Sequence, residues 1–412
     1  MKHALLVVLT AAATAAGAQP LSLEDAVRAG VAQSPRLAAQ RHSLDAAGER
    51  VARAAQLPDP RLKLGIENLP LTGPDKYRYD RDFMTARTVG WSQEFPNSAK
   101  REARQLRAER ARSVENATLA MQETLLRRDV ALSWLALHYA QRAQEAIQRL
   151  ARQFDLQLES LPAAIARGRQ SAADAFMLRQ GLEQVNDRAI EQARTVAKAR
   201  IMLASWIAEE ARRPLAEPPD TTRFAHAREE IVGRLTEHPQ LRAFDEREAL
   251  ARAEVELASS TKKSDWMLEV GYGQRRPYFD NMLTVMVSFE LPWQAGRRQD
   301  RDIASRLAEL EQARAMREDA RRMHEAEVRA ELADFDAAQR RIERFERVLI
   351  PLSQERRAAS LAAYRGARGE LGALLESERA VTDTELALIQ ALAERARAWA
   401  NLNYLDPHRS AP

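Results

Sequence analysis

The chain has 412 residues, of which 30% are charged, 45% hydrophobic and 6% aromatic, and it contains no cysteine. Disulfides, thiolate metal sites and an N-terminal lipidated cysteine are therefore excluded. Its 63 basic and 59 acidic residues leave a formal net charge of +4, which gives no reason to invoke nucleic acid as a partner.

Residues 1–18 read as a secretory signal peptide. Lys2 and His3 precede an apolar stretch from Ala4 through Ala16, and Ala16-Gly17-Ala18 supplies the small-residue cleavage site. The mature chain is expected to begin in the periplasm. Nothing after the signal offers about 18 consecutive apolar residues, so a membrane crossing would have to be made by a barrel.

A helical stretch containing Ser34-Pro35-Arg36-Leu37 comes next, and then a pair of alternating segments. Leu62, Leu64 and Ile66 share one face opposite Lys63, Gly65 and Glu67. Val89, Trp91 and Phe95 share a face opposite Thr88, Gly90, Ser92 and Glu94. Between Pro96 and Pro162 there is neither proline nor glycine, about 65 residues that as a helix would extend ~95 Å. Val114, Ala117, Met121 and Leu125 carry its three-four spacing. A reversal is expected from Leu161-Pro162 through Gly168, with residues 163–213 as the returning helix. Pro214, Pro218 and Pro219 mark a joint over residues 213–222.

The second half runs in the same order. His238-Pro239-Gln240-Leu241 lies in a helical stretch, and Trp266, Leu268, Val270 and Tyr272 then oppose Met267, Glu269, Gly271 and Gly273. Leu283, Val285, Val287, Phe289 and Leu291 oppose Thr284, Ser288 and Glu290. A long stretch from Gly296 to Pro351, a reversal from Tyr364 through Gly372 and a closing helix to residue 406 complete it. Glu94-Phe95-Pro96 returns as Glu290-Leu291-Pro292, and Arg167-Gly168 returns as Arg365-Gly366. The chain thus reads as a first structural repeat over residues 19–212, a linker at 213–222, a second repeat over 223–406 and a tail at 407–412.

Helices this long cannot bury their stripes in a compact globule and must pack lengthwise as coiled coils, on each other or on copies of themselves. Each strand taken alone would suit a soluble sheet with one dry face. Strands of about 8–10 residues with aromatics near the ends of the apolar face, behind a signal peptide, favour a bilayer crossing instead. Four strands cannot close a transmembrane barrel, so several protomers must share one.

SLEDAVRAGVAQSPRLAAQR, VGWSQEFPNSAKREAR and AYRGARGELGALLESERA resemble TolC-family outer-membrane efflux proteins, and the likeness covers roughly residues 21 to 405. The SQEFPNSAKR form is most similar to the heavy-metal branch that serves resistance-nodulation-division pumps. Two departures stand out: Asn97-Ser98-Ala99 replaces the family's glycine pair, and Gly366-Ala367 inverts its Ala-Gly order. The resemblance implies an α+β membrane protein, with long antiparallel helical hairpins forming a periplasmic α-barrel. Each chain of a homotrimer would give four strands to a twelve-stranded β-barrel in outer-membrane lipid. Residues 69–86 and 274–282 would be extracellular loops, and the helical reversals would meet a periplasmic adaptor and an inner-membrane pump.

On that resemblance the tip carboxylate matches Glu376, with Asp174 its counterpart in the first half, and both are gate candidates; the plain alternative is a solvated helix face. Arg167, Gly168, Tyr364, Arg365 and Gly369 are candidate adaptor contacts or simply turn residues. Glu67, Glu94, Glu269 and Glu290, on the polar faces of their strands, are candidates for a cation-friendly lumen. Trp91, Trp266, Tyr272 and Phe289 read as lipid-facing anchors, which a soluble sheet would bury instead.

The seven histidines, at 3, 42, 138, 226, 238, 324 and 408, include none at ligand spacing with another. No HExxH, phosphate-binding loop or nucleophile elbow is present, so neither a catalytic site nor a cofactor is expected. The expected function is a passive exit duct of a tripartite efflux system carrying heavy-metal cations. The alternatives are a duct for organic toxicants or for type I secretion, and a periplasmic coiled-coil scaffold.

Overall fold

The computed structural model describes residues 19–166, 170–224, 233, 238–366 and 368–404. The predicted signal peptide, part of the first reversal and the tail at 407–412 lie outside them. The described residues form two compact units, each drawing segments from both halves of the chain: 19–35, 123–224 and 325–404 in one, 36–122 and 238–324 in the other.

The described elements are α1 (Leu23–Gln33), α2 (Pro35–Ala54), β1 (Arg61–Glu67), β2 (Ala86–Phe95), α3 (Ser98–Ala166), α4 (Ala172–Ile207), α5 (Pro239–Ser260), β3 (Trp266–Gln274), β4 (Met282–Phe289), α6 (Gln299–Arg344), α7 (Ile350–Arg365) and α8 (Leu371–Asn403). Helix α3 has 69 residues, roughly 100 Å of rise. It runs through Pro162 to Ala166, past the point where the sequence predicts its reversal. A proline costs a helix one N–H and a clash at the preceding turn, and a helix already packed along its length absorbs that near its end.

In the first unit, Leu23, Ala26, Val27 and Gly30 form the buried face of α1 at three-four spacing. A Cβ on Gly30 would stand 2.7 Å from Val130 Cγ2, so only glycine permits this approach of α1 to α3. The predicted joint is anchored there. Leu21 bridges Leu215 in parallel, the Leu21 N–H donates to Pro214 O at 2.7 Å, and buried Trp134 donates from Nε1 to Leu21 O at 3.1 Å. Farther along the joint, Thr221 Oγ1 accepts from Arg395, and Trp399 Nε1 donates to Arg223 O. A separate core joins Ile147, Leu150, Phe154 and Leu161 of α3 with Leu178, Leu182 and Val185 of α4 and Leu371 and Leu375 of α8.

Between α6 and α7 the helix widens into a π turn over Phe345–Leu349, in which the Ile350 N–H returns to Phe345 O, one residue before Pro351. Periodicity does not reveal this insertion. Neither the turn nor α7 has a fully buried residue.

The second unit holds one antiparallel sheet in the order β1-β2-β3-β4. Asn97 caps α3. Its Oδ1 accepts the Lys100 N–H at 2.8 Å while its own N–H donates to Asp265 Oδ1 at 2.9 Å. Lys100 pairs with the same Asp265 carboxylate. His238 and His324, remote in sequence, are buried with ring centroids 4.5 Å apart. Their rings lie tilted at 40° to each other, and among the described residues no cluster of three metal-ligating side chains occurs.

Candidate functional site

Register decides what the sheet presents. Leu62 opposes Trp91, Trp91 opposes Val270, and Val270 opposes Val285; one row along, Leu64, Val89, Tyr272 and Leu283 follow the same line. The four apolar half-faces deduced strand by strand are therefore one continuous face. It is exposed, with Leu64 at 73% and Leu283 at 70% of full accessibility. Trp91, Trp266, Tyr272 and Phe289 all lie on it and are exposed. Trp266 stacks on Phe95 with centroids 4.2 Å apart. Trp293, 86% exposed, lies four residues beyond Phe289 on the helical side of the sheet. The expected anchors did not include it; a tryptophan just outside an alternating run was the available signal.

The opposite face carries Glu67, Glu94 and Glu269, together with Gly65, Gly90, Gly271 and Gly273. Two findings adjust the expected acidic lumen. Lys63 reaches over the glycine at position 90 to pair with Glu269, which compensates that carboxylate. Glu290 falls one residue beyond the end of β4, where its N–H donates at 3.2 Å to the carbonyl of Asp265, the residue opposite it in the register.

At the helical reversals, Asp174 occupies the first turn of α4 in a capping box. Its Oδ2 accepts from the Ser171 N–H and Oγ, both at 2.8 Å, while Ser171 Oγ accepts the Asp174 N–H. Next to it, Gln170 Nε2 donates to the Tyr364 hydroxyl at 3.1 Å. Burial pushes the Tyr364 phenol up, and the Asp174 carboxylate pushes it in the same direction. The structure thus brings Asp174 and Tyr364, one from each half, into one electrostatic neighbourhood.

Glu376 pairs with Arg356 at 2.7 Å, and two residues on, buried Glu378 faces Arg357 at 3.5 Å; both pairs join α7 to α8. Arg365 is the exposed last residue of α7. Gly369 sits in a tight turn, where a Cβ would crowd Ala363 Cβ at 3.0 Å and backbone atoms at 3.1 Å. Arg167 and Gly168 lie outside the described residues.

No family model matches the sequence, and no curated protein matches it. Solved structures do. The chain is similar to the Campylobacter jejuni outer-membrane channel CmeC at 10% identity and a TM-score of 0.80, covering 93% of this chain and 85% of that one. CusC, which forms a transmembrane channel, gives 14% and 0.78 with 92% and 90% covered. The Vibrio cholerae outer-membrane protein VceC gives 18% and 0.74 with 93% and 95% covered. At such low identity these likenesses speak for architecture alone, and the chain has the fold of the outer-membrane channel proteins, as its TolC-family resemblance implied.

Proposed function

We propose that this chain is one subunit of a homotrimeric outer-membrane exit channel in a tripartite efflux system. A signal peptide at residues 1–18 would deliver it. A periplasmic adaptor and an inner-membrane resistance-nodulation-division pump would engage its helical reversals, and heavy-metal cations are the proposed cargo. The observation that carries this reading is the sheet, with one continuous apolar face exposed and β1 and β4 at its edges. Unpaired edges beside a bare apolar face seek further strands, and in lipid only a closed barrel satisfies them. Edge-to-edge pairing among copies meets both demands.

In such a barrel the glycine-bearing face lines the lumen. Missing side chains there leave room for water and hydrated ions, and Glu67 and Glu94 supply weak attraction for cations. The chain would catalyse nothing and consume no cofactor; transport is positioning and gating, energised by the pump. Asp174, Tyr364 and the Arg356–Glu376 pair would hold the tip helices, with Arg365 and Gly369 in the adaptor-facing turn. A second cargo class, organic toxicants, is favoured by the Lys63–Glu269 pair, which lowers the negative charge of that face.

A deletion strain and its complemented parent, challenged with divalent metals and with dyes, detergents and antibiotics, tests the cargo. Selective loss of metal tolerance supports the metal duct, and loss confined to organic toxicants replaces that cargo with the second. Membrane fractionation tests the duct itself: a protein released from outer membranes by alkaline wash would be a scaffold, not a channel.

A further inference from the structure

Arg87 is a cation on the apolar face of the sheet. In the ladder it opposes Ile66 on one side and Gln274 on the other, and its next neighbours on that face, two residues along, are Leu64, Val89 and Tyr272. It lies one residue inside β2, at the end nearest the loop of residues 68–85. Its guanidinium covers the Tyr79 ring at 4.5 Å, and both side chains are exposed.

The nearby loop acids have other partners. Asp80 faces Arg78 at 3.6 Å, and Asp82 Oδ1 accepts the Met84 N–H at 2.6 Å. Among the described residues no carboxylate pairs with Arg87. Hydrocarbon does not tolerate an uncompensated guanidinium, whereas the headgroup layer supplies anions at the depth where strands give way to loops. Arginine's fork of donors suits a phosphate, and a tyrosine packed beneath it limits how far the guanidinium can wander.

Resting on the membrane reading above, we propose that Arg87, backed by Tyr79, binds the phosphate of an anionic lipid headgroup in the outer leaflet. The site is a lipid anchor on the outside of the barrel, distinct from the lumen and the helical tip.

The test uses the full chain reconstituted with purified lipid A carrying both phosphates or with its dephosphorylated form, and native mass spectrometry counts the lipid retained. The wild type should retain the phosphorylated form preferentially. Arg87→Gln should cut that preference roughly tenfold, Arg87→Lys should keep part of it, and Arg78→Gln, whose guanidinium already faces Asp80, should keep all of it. Equal retention of the two lipids by the wild type, or equal preference in the wild type and Arg87→Gln, overturns the proposal. Flotation of the same samples separates the levels of failure. A chain that floats with vesicles but shows no phosphate preference loses only this site, and one that never floats loses the membrane reading with it.

Discussion

The Arg356 guanidinium lies 2.7 Å from the Glu376 carboxylate, fastening α7 to α8 within a single chain. Both side chains are more than half exposed, so the pair contributes less than about 1 kcal/mol to stability. Its role would then lie in the tip and not in the fold. In planar bilayers, Arg356→Ala and Glu376→Ala should each raise single-channel conductance, and the double variant should add little to either, with thermal stability within ~0.5 kcal/mol of the parent. If only Glu376→Ala changed conduction, the carboxylate would act alone and not through its pair with Arg356.

Asp174 combines a cap with a place beside Tyr364. Asp174→Ala should cost about 1 kcal/mol in chemical denaturation through loss of the box. Asp174→Asn, which keeps an acceptor for the Ser171 N–H, should cost less while still lowering the Tyr364 pKa by removing the nearby negative charge. Spectrophotometric titration of the phenol checks the second effect, and an unmoved titration would refute the coupling.

Glu248 of α5 is held below the usual carboxylate range. Burial pushes it up, but Arg317, Arg314 and Arg252 outweigh that and favour the charged form. A depressed folded pKa contributes stability that is present above the unfolded value and lost as pH falls through the folded one. Glu248→Gln should therefore destabilise the protein at neutral pH by about 1–2 kcal/mol, below the cost of breaking a fully buried pair because the guanidiniums reach water. The difference from the parent should shrink as pH falls below the ordinary carboxylate range and through the lowered folded value, where the parent's carboxylate also becomes protonated. Denaturation midpoints across pH read both parts.

Pro351 follows the π turn and withholds an N–H from the preceding turn. Pro351→Ala should restore that donor and slow hydrogen exchange across residues 345–355, several-fold for about 1 kcal/mol of local stabilisation. Unchanged exchange would mean that packing, not the missing donor, sets the local stability.

Gly181 lets Arg379 and buried Phe154 approach α4: a Cβ there would stand 2.7 Å from Arg379 Nη2 and 2.8 Å from Phe154 Cε1. The arginine end can swing away, but the buried ring cannot. Gly181→Val should cost about 2 kcal/mol by overpacking, measured by thermal unfolding, and a neutral result would place slack in this core.

The elements were legible because their signals are local. Alternation at Leu62, Leu64 and Ile66 marks a strand wherever it pairs, and the proline-free run after Pro96 marks a helix whatever covers it. The repeated Glu-Phe-Pro and Glu-Leu-Pro junctions likewise expose the duplication. Partnerships between distant residues were not legible. Lys63 and Glu269 sit on strands separated by β2, and Arg356 and Glu376 are joined only once α7 and α8 fold back on each other. Arg87 shares the alternation of Val89 and Trp91, but only the folded loop sets its guanidinium over the Tyr79 ring.

By itself, the sequence determined the order and kind of the elements and the two faces of each strand, because φ/ψ preference and side-chain period are properties of consecutive residues. Only the tertiary structure decided that four half-faces join into one, that Lys63 compensates the Glu269 carboxylate, that Asn97 caps α3 while binding Asp265, and that α6 passes into α7 through a π turn. Each depends on which distant groups arrive within a few ångströms, and both Coulomb and packing energies fall away over that distance faster than sequence spacing can report.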